Sequence, residues 1–180
     1  LLPDLNKVCK EIAENIAENL TGVRILTLGV EGMATADYGA AKLVELTSVP
    51  PYTDDIEEFA HCQFWSANPK DFIIYIPNSI LASEVATRSA KAISEMGFYS
   101  LFLGPDCFSV TSTNWSINFG DLNNSQEIYY LTTVTLQLLA YHLSINVGLD
   151  PNTRQHLIDD KIRFRVSRKL TRRHLLSNSD

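Results

Sequence analysis

Cysteine is scarce in this chain and scattered. Its three cysteines, Cys9, Cys62 and Cys107, are odd in number and form no CxxC pair. That excludes a disulfide framework and a structural zinc site, and it fits a reducing compartment with free buried thiols. Long apolar runs are also missing: none approaches the ~20 residues that a membrane-spanning helix needs. The opening Leu1-Leu2-Pro3-Asp4 turns polar at once, unlike a secretory signal. A cytoplasmic protein without membrane contact is the expectation. The chain lacks an initiating Met, so it reads as a processed product or part of a longer protein. Glycine-rich phosphate loops of the GxGxxG or Walker type are absent, as are a Ser-His-Asp arrangement, a metal-ligand cluster, internal repeats and low-complexity tracts.

The 180 residues are 45% hydrophobic and 20% charged, enough for one globular domain with its own core. The net charge of −6 is unevenly spread. Residues 1–160 carry 8 Lys/Arg against 20 Asp/Glu, and residues 161–180 carry 7 against 1. An acidic body of this kind argues against a broad nucleic-acid surface. The division expected is one domain over 1–158 and a basic C-terminal tail over 159–180.

Short apolar runs alternate with helical patterns. Leu5, Val8, Ile12, Ile16 and Leu20 form a helical stripe, with Asp4 as its candidate cap. Arg24 to Gly29, Phe72 to Pro77 and Tyr99 to Leu103 read as buried strands, and Ser116 to Phe119 as a short fourth. Helices are expected over about 33–46, from Asp54-Asp55 through His61, from Asn78-Ser79 to about Met96, and over about 126–147. Pro50-Pro51 reads as a chain break. This alternation predicts a three-layer α/β/α sandwich with a parallel, flavodoxin-like sheet. Ligands of such sheets sit beyond the carboxyl ends of the strands, so Gly29–Gly32, Asn78-Ser79 and Gly104–Asp106 belong to one rim.

Lys42 and Glu45 stand three apart on a predicted helix and face the same way. They are either a surface ion pair of little energetic weight or a carboxylate base with its charge held in place. Proton transfer to or from a substrate needs such a base and an acid near it, here Lys42 or His61. His61, at the end of a short acidic helix, otherwise only stabilises that end. Glu57-Glu58 reads as a solvated face, with Glu58 a candidate substrate contact beside His61. His142 reads as a satisfied core histidine. Gly29-Val30-Glu31-Gly32 reads as a tight strand-to-helix turn, since Glu31 brings the wrong charge for a phosphate. Asn78-Ser79 suits an anion at a helix N-terminus, or is an ordinary cap. The alternating tail Lys161 to Lys169 reads as an edge strand or an arm over a partner subunit, with an acidic partner or nucleic acid as other options.

Two segments resemble a known family. Gly39-Ala-Ala-Lys42-Leu-Val-Glu45-Leu-Thr, followed by Glu57-Glu58-Phe59-Ala60-His61, is similar to the ALKLKE and GELKHGP motifs of glutamine:fructose-6-phosphate transaminases. Leu136-Gln-Leu-Leu-Ala-Tyr-His142, then Gly148-Leu149-Asp150, is similar to that family's PLQLLAYH helix and following GxD. Over residues 3–158 the order and spacing match the second sugar isomerase (SIS) half of the family's isomerase domain. The resemblance implies an SIS fold and a phosphorylated sugar as ligand. It implies a second SIS domain as partner, in the same protein or a homodimer, and no metal or organic cofactor. Glu45 would move the proton, Lys42 would assist, and His61 would open the ring of a neighbouring subunit's sugar. Apart from the resemblance, Asn78 and Ser79 are candidate substrate contacts by their place at a helix N-terminus on the rim. Departures are visible. Cys62-Gln63 replace the family's Gly-Pro, and its GRG loop is Gly29-Val30-Glu31-Gly32. Its RNLAK lysine falls on Asp159, so Lys161 could serve only after a two-residue shift. These departures imply either a relative with another amino-sugar or ketosamine phosphate, or a regulatory module that binds sugar phosphates without turning them over.

Overall fold

In the computed structural model residues 2–170 are described, with those at 2, 3, 168 and 169 by their backbone alone. Five parallel strands run in the order β2-β1-β3-β4-β5, formed by Gly22–Thr27 (β1), Pro51–Asp55 (β2), Asp71–Tyr75 (β3), Tyr99–Gly104 (β4) and Trp115–Asn118 (β5). The order reverses between β1 and β3, which creates the switch point of a doubly wound sheet. The helices are Leu2–Ile16 (α1), Val30–Leu46 (α2), Ile56–His61 (α3), Ile80–Ser94 (α4), Ser125–Asn146 (α5), Gln155–Asp159 (α6) and Lys161–Leu170 (α7). The result is the α/β/α sandwich expected from the alternating pattern.

Each face of the sheet has its own apolar cluster. On one face Cys9, Ile12, Ala36, Leu43, Leu136 and Leu139 join α1, α2 and α5 to the strands. On the other, Ile56, Phe59, Ala86, Ala90 and Ile93 seat α3 and α4. Strands β1 and β3 are buried along their whole length, which explains their continuous apolar runs. Gly39 lets α2 press on α5, because a Cβ there would meet Leu136 Cδ1 at 2.7 Å.

Five expectations need correction. Pro50-Pro51 does not break the chain but leads into β2, paired with β1 from Val23–Pro51 to Thr27–Asp55. Proline is tolerated because β2 is an edge strand, and the Pro50 carbonyl accepts from Val23 N at 3.1 Å. Helix α2 starts at Val30, so only Gly29 remains of the expected Gly29–Gly32 turn; its φ of 70° and ψ of 178° suit glycine alone. The basic tail is helical over 161–170, not an edge strand, while residues 171–180 lie outside the described residues. Its alternation coexists with an Ile162–Val166–Leu170 stripe, and Lys and Arg favour helix. Of the thiols, Cys9 is buried, and burial pushes it up to about 12, whereas Cys62 and Cys107 are exposed. Asp4 lies inside the first turn of α1.

A buried charge pair ties the amino ends of the central strands together. Arg24 Nε donates to Asp71 Oδ2 at 2.9 Å, with both residues under 5% exposed. Asp71 also accepts from Thr21 Oγ1 at 2.7 Å and Asn68 N at 3.1 Å. The guanidinium carbon lies 4.4 Å from the Tyr52 ring centroid. Asp71→Ala leaves Arg24 buried without its counterion, and the expected cost is about 3–5 kcal/mol. Urea denaturation checks this: the midpoint should drop sharply, and an unchanged midpoint contradicts it.

Candidate functional site

Helix α2 leaves the carboxyl rim at Gly29 and returns to the amino end of β2, so Lys42 and Glu45 lie at the base of the molecule, away from the rim. Lys42 Nζ donates to Glu45 Oε2 at 2.6 Å and sits 5.5 Å from the Tyr38 ring centroid. The other carboxylate oxygen, Oε1, accepts from Arg154 Nη1. Arg154 precedes α6 in the left-handed region, with φ of 50°. Glu45 is thus a carboxylate held between two cations, with its side chain 31% exposed. The Lys42 hydrogen bond, backed by the charges of Lys42 and Arg154, holds its carboxyl below the usual range. The same bond holds the Lys42 ammonium above its own usual range. The stabilisation from this cluster is therefore present between the two ordinary ranges. It is lost as pH falls through the lowered Glu45 value, or rises through the raised Lys42 value.

His61 closes α3 on the opposite face of the sheet. It lines a cleft of about 440 Å³ between α3 and α4, floored by Phe59, Phe64 and Val85 and edged by Glu57 and Arg88. Within one chain, then, Lys42 and Glu45 share a site and His61 does not. Glu58 is exposed on α3, and its hydrogen bond to Cys62 raises that thiol. Lys161 is exposed at the start of α7.

At the rim, backbone N–H groups that open α2 and α4 are bonded to side chains of this chain. Ser79 is an ordinary cap, accepting from Ala82 N at 3.1 Å. Asn78 Nδ2 donates to the Leu28 carbonyl at 3.0 Å and laces the switch point between β1 and β3. The Gly29 N–H at the start of α2 donates to Asp55 Oδ2 at 2.7 Å, so a carboxylate already occupies it. Glu31 adds negative charge in the first turn. Below it Thr27 Oγ1 sits 1.9 Å from where a Gly32 Cβ would be, so helix and strand meet without a cradle between them. His142 is the core histidine expected, with Nε2 2.9 Å from Asn6 Oδ1. Among the described residues no group of three His, Cys, Asp or Glu is placed to hold a metal, and no helix is long and apolar enough to cross a membrane.

Arg154 and Asp55 are the two site groups that sequence reasoning misses. Arg154 lies 109 residues from Glu45, and no local spacing links them. Asp55 is visible as a helix cap, but its bond to Gly29 spans 26 residues and depends on the pairing of β1 with β2.

No known family's sequence pattern matches the chain, and no curated protein does. Solved structures do match in fold. The C-terminal domain of glucosamine-fructose-6-phosphate aminotransferase from Francisella tularensis superposes with a TM-score of 0.69 at 19% identity, over 82% of this chain and 42% of that one. Tagatose-6-phosphate ketose/aldose isomerase from Escherichia coli matches at 0.59 and 15% identity, over 80% of this chain and 41% of the other. The chain thus spans less than half the length of either protein. The sugar isomerase domain of an RpiR transcription factor from Sphaerobacter thermophilus matches at 0.60 and 12%, over 86% and 84%. The fold is that of an SIS domain.

Arg154→Ala should move the Glu45 carboxyl titration upward toward the ordinary carboxylate range, as read by NMR. It should change global stability by less than about 1 kcal/mol, because the pair is solvent-exposed. A Glu45 titration that stays in place would show that Arg154 does not govern this carboxylate.

Proposed function

We propose that this chain is a sugar-phosphate-handling SIS domain of the isomerase or aminotransferase type, with Glu45 as its proton-transfer base. The observation that carries the reading is the Lys42–Glu45–Arg154 cluster: an ionised carboxylate, reachable from solvent, held by cations from two elements distant in sequence. In this role Glu45 removes the proton from C2 of an open-chain aldose phosphate, and the electrons shift toward the C1 carbonyl to form an enediolate. The O2 hydroxyl proton passes to O1, and the same carboxyl returns its proton to C1 as the C2 carbonyl forms, giving the ketose. Lys42 steadies the developing oxyanion. Arg154, half exposed, must leave Oε1 for the carboxylate to act.

The phosphate itself needs another host, since Asp55 fills the start of α2. A second SIS domain, in the same protein or in a second copy of the chain, supplies it, and His61 serves as ring-opening acid/base on a neighbour's sugar. The structural relatives whose names mention fructose-6-phosphate and tagatose-6-phosphate support a hexose, amino-sugar or ketosamine phosphate as the ligand class. Activity in the cytoplasm accords with this chemistry. The second reading is a regulatory module that binds sugar phosphate without turnover. It is favoured by the carboxylate at Gly29 and by the likeness to the sugar isomerase domain of a transcription factor.

Solvent-deuterium exchange into a panel of hexose and amino-sugar 6-phosphates, followed by proton NMR, separates the two. Label at C1 or C2 of one sugar, lost in Glu45→Gln, is expected of the enzyme. Binding of a sugar phosphate without exchange would shift the assignment to the regulatory module.

A further inference from the structure

Residues 161–170 of the basic segment form a helix whose apolar stripe is uncovered among the described residues. In α7 Ile162, Val166 and Leu170 follow one another at i, i+4 and i+8, and they are 70%, 45% and 81% exposed. Around them the sequence places Lys161, Arg163, Arg165, Arg168 and Lys169, with no acidic residue from 161 to 170. Arg163 pairs locally, with Asp160, and α7 packs on α6 rather than on the sheet. A basic, amphipathic helix left bare in this way needs a partner surface that is apolar in the middle and acidic at the edge.

The chain carries one such surface on its far side. The α3–α4 cleft has an apolar floor of Phe59, Phe64 and Val85. Trp65 stands beside it, 85% exposed, with its ring 6.0 Å from that of Phe64. Exposed Trp is rare on a free surface and common at the centre of interfaces. Along the α3 lip, exposed Glu57 and Glu58 follow Asp54 and Asp55, while Arg88 marks the α4 side. A chain's own α7 starts a few residues after Arg154, at the base of the opposite face, so the cleft that meets it belongs to another molecule.

We infer that α7 of one chain docks in the α3–α4 cleft of a second copy, its Ile162–Val166–Leu170 stripe against Trp65 and Phe64 and its arginines toward Glu57 and Glu58. Charge selects this arrangement over α7 pairing with α7, which would set Lys161, Arg163 and Arg165 of one copy against the same cations of the other. The docking stands on the exposed faces alone and does not depend on Glu45 chemistry. It has a consequence for that chemistry, however: the segment leading from Arg154 and Glu45 of one copy is carried to the face that holds His61 of the other.

Sedimentation velocity on the full chain, from about 1 to about 100 µM, tests this. A concentration-dependent dimer is expected, and Ile162→Asp/Val166→Asp and Trp65→Ala should each weaken it about tenfold or more. All three side chains are exposed, so cooperative unfolding should be retained, and circular dichroism checks that. Arg163→Glu/Arg165→Glu should also weaken association, and Glu57→Lys/Glu58→Lys introduced alongside should restore it. A monomer throughout the range overturns the inference. So does a dimer indifferent to these substitutions, or an α7 that binds phosphatidylserine vesicles while the protein stays monomeric.

Discussion

The Arg24–Asp71 pair is the constraint on which the rest of the molecule depends. It lies where β1 and β3 begin, under the side chain of Tyr52 from β2 and near Phe59 of α3. Asp71 collects Arg24 Nε, Thr21 Oγ1 and Asn68 N, so one carboxylate sets the starting points of two strands and the loop between α3 and β3. A buried ion pair adds little net stability over an apolar substitute, but it tolerates no shift of register, because a displaced partner would be an unpaired buried charge. The parallel register of Gly22 with Asp71 then carries upward to the rim, where Leu26 faces Tyr75.

From this frame the two ends of the domain acquire opposite chemistry. At the rim, β1 and β2 run in register from Val23–Pro51 to Thr27–Asp55, and Asp55 turns its carboxylate onto the Gly29 N–H. A site that in other doubly wound sheets receives an anion is here filled from within. At the base, the return of α2 brings Lys42 and Glu45 to the surface, and the end of α5 delivers Arg154 to them. The exposed, polarised carboxylate is thus at the end from which the fold alone would not be expected to bind ligand.

Much of the architecture can be read in the sequence because it is written in short-range patterns. The continuous apolar runs around Ile25, Ile73 and Leu101 declare strands buried on both faces, and the helices between them impose a parallel sheet. The strand that this pattern does not announce, Pro51–Asp55, is polar and opens with proline, since an edge strand on its outer side needs neither apolar side chains nor every N–H. The tail is ambiguous for a related reason: Ile162, Phe164 and Val166 alternate with Arg163 and Arg165, yet Ile162, Val166 and Leu170 also fit a helix. With no buried face to arbitrate, the two periods are equally legible.

By itself the sequence determined the layers, the order of elements and the local pairing of Lys42 with Glu45, because these follow from spacing along one helix or strand. It also determined the split between an acidic body and a basic tail. Only the tertiary structure decided that His61 lies across the sheet from Glu45 and that Arg154 completes the carboxylate cluster. It likewise decided that Asp55 takes the Gly29 N–H at the start of α2. Each of these joins groups whose separation in sequence says nothing about their separation in space. That separation is set by strand order and by the direction in which each helix returns.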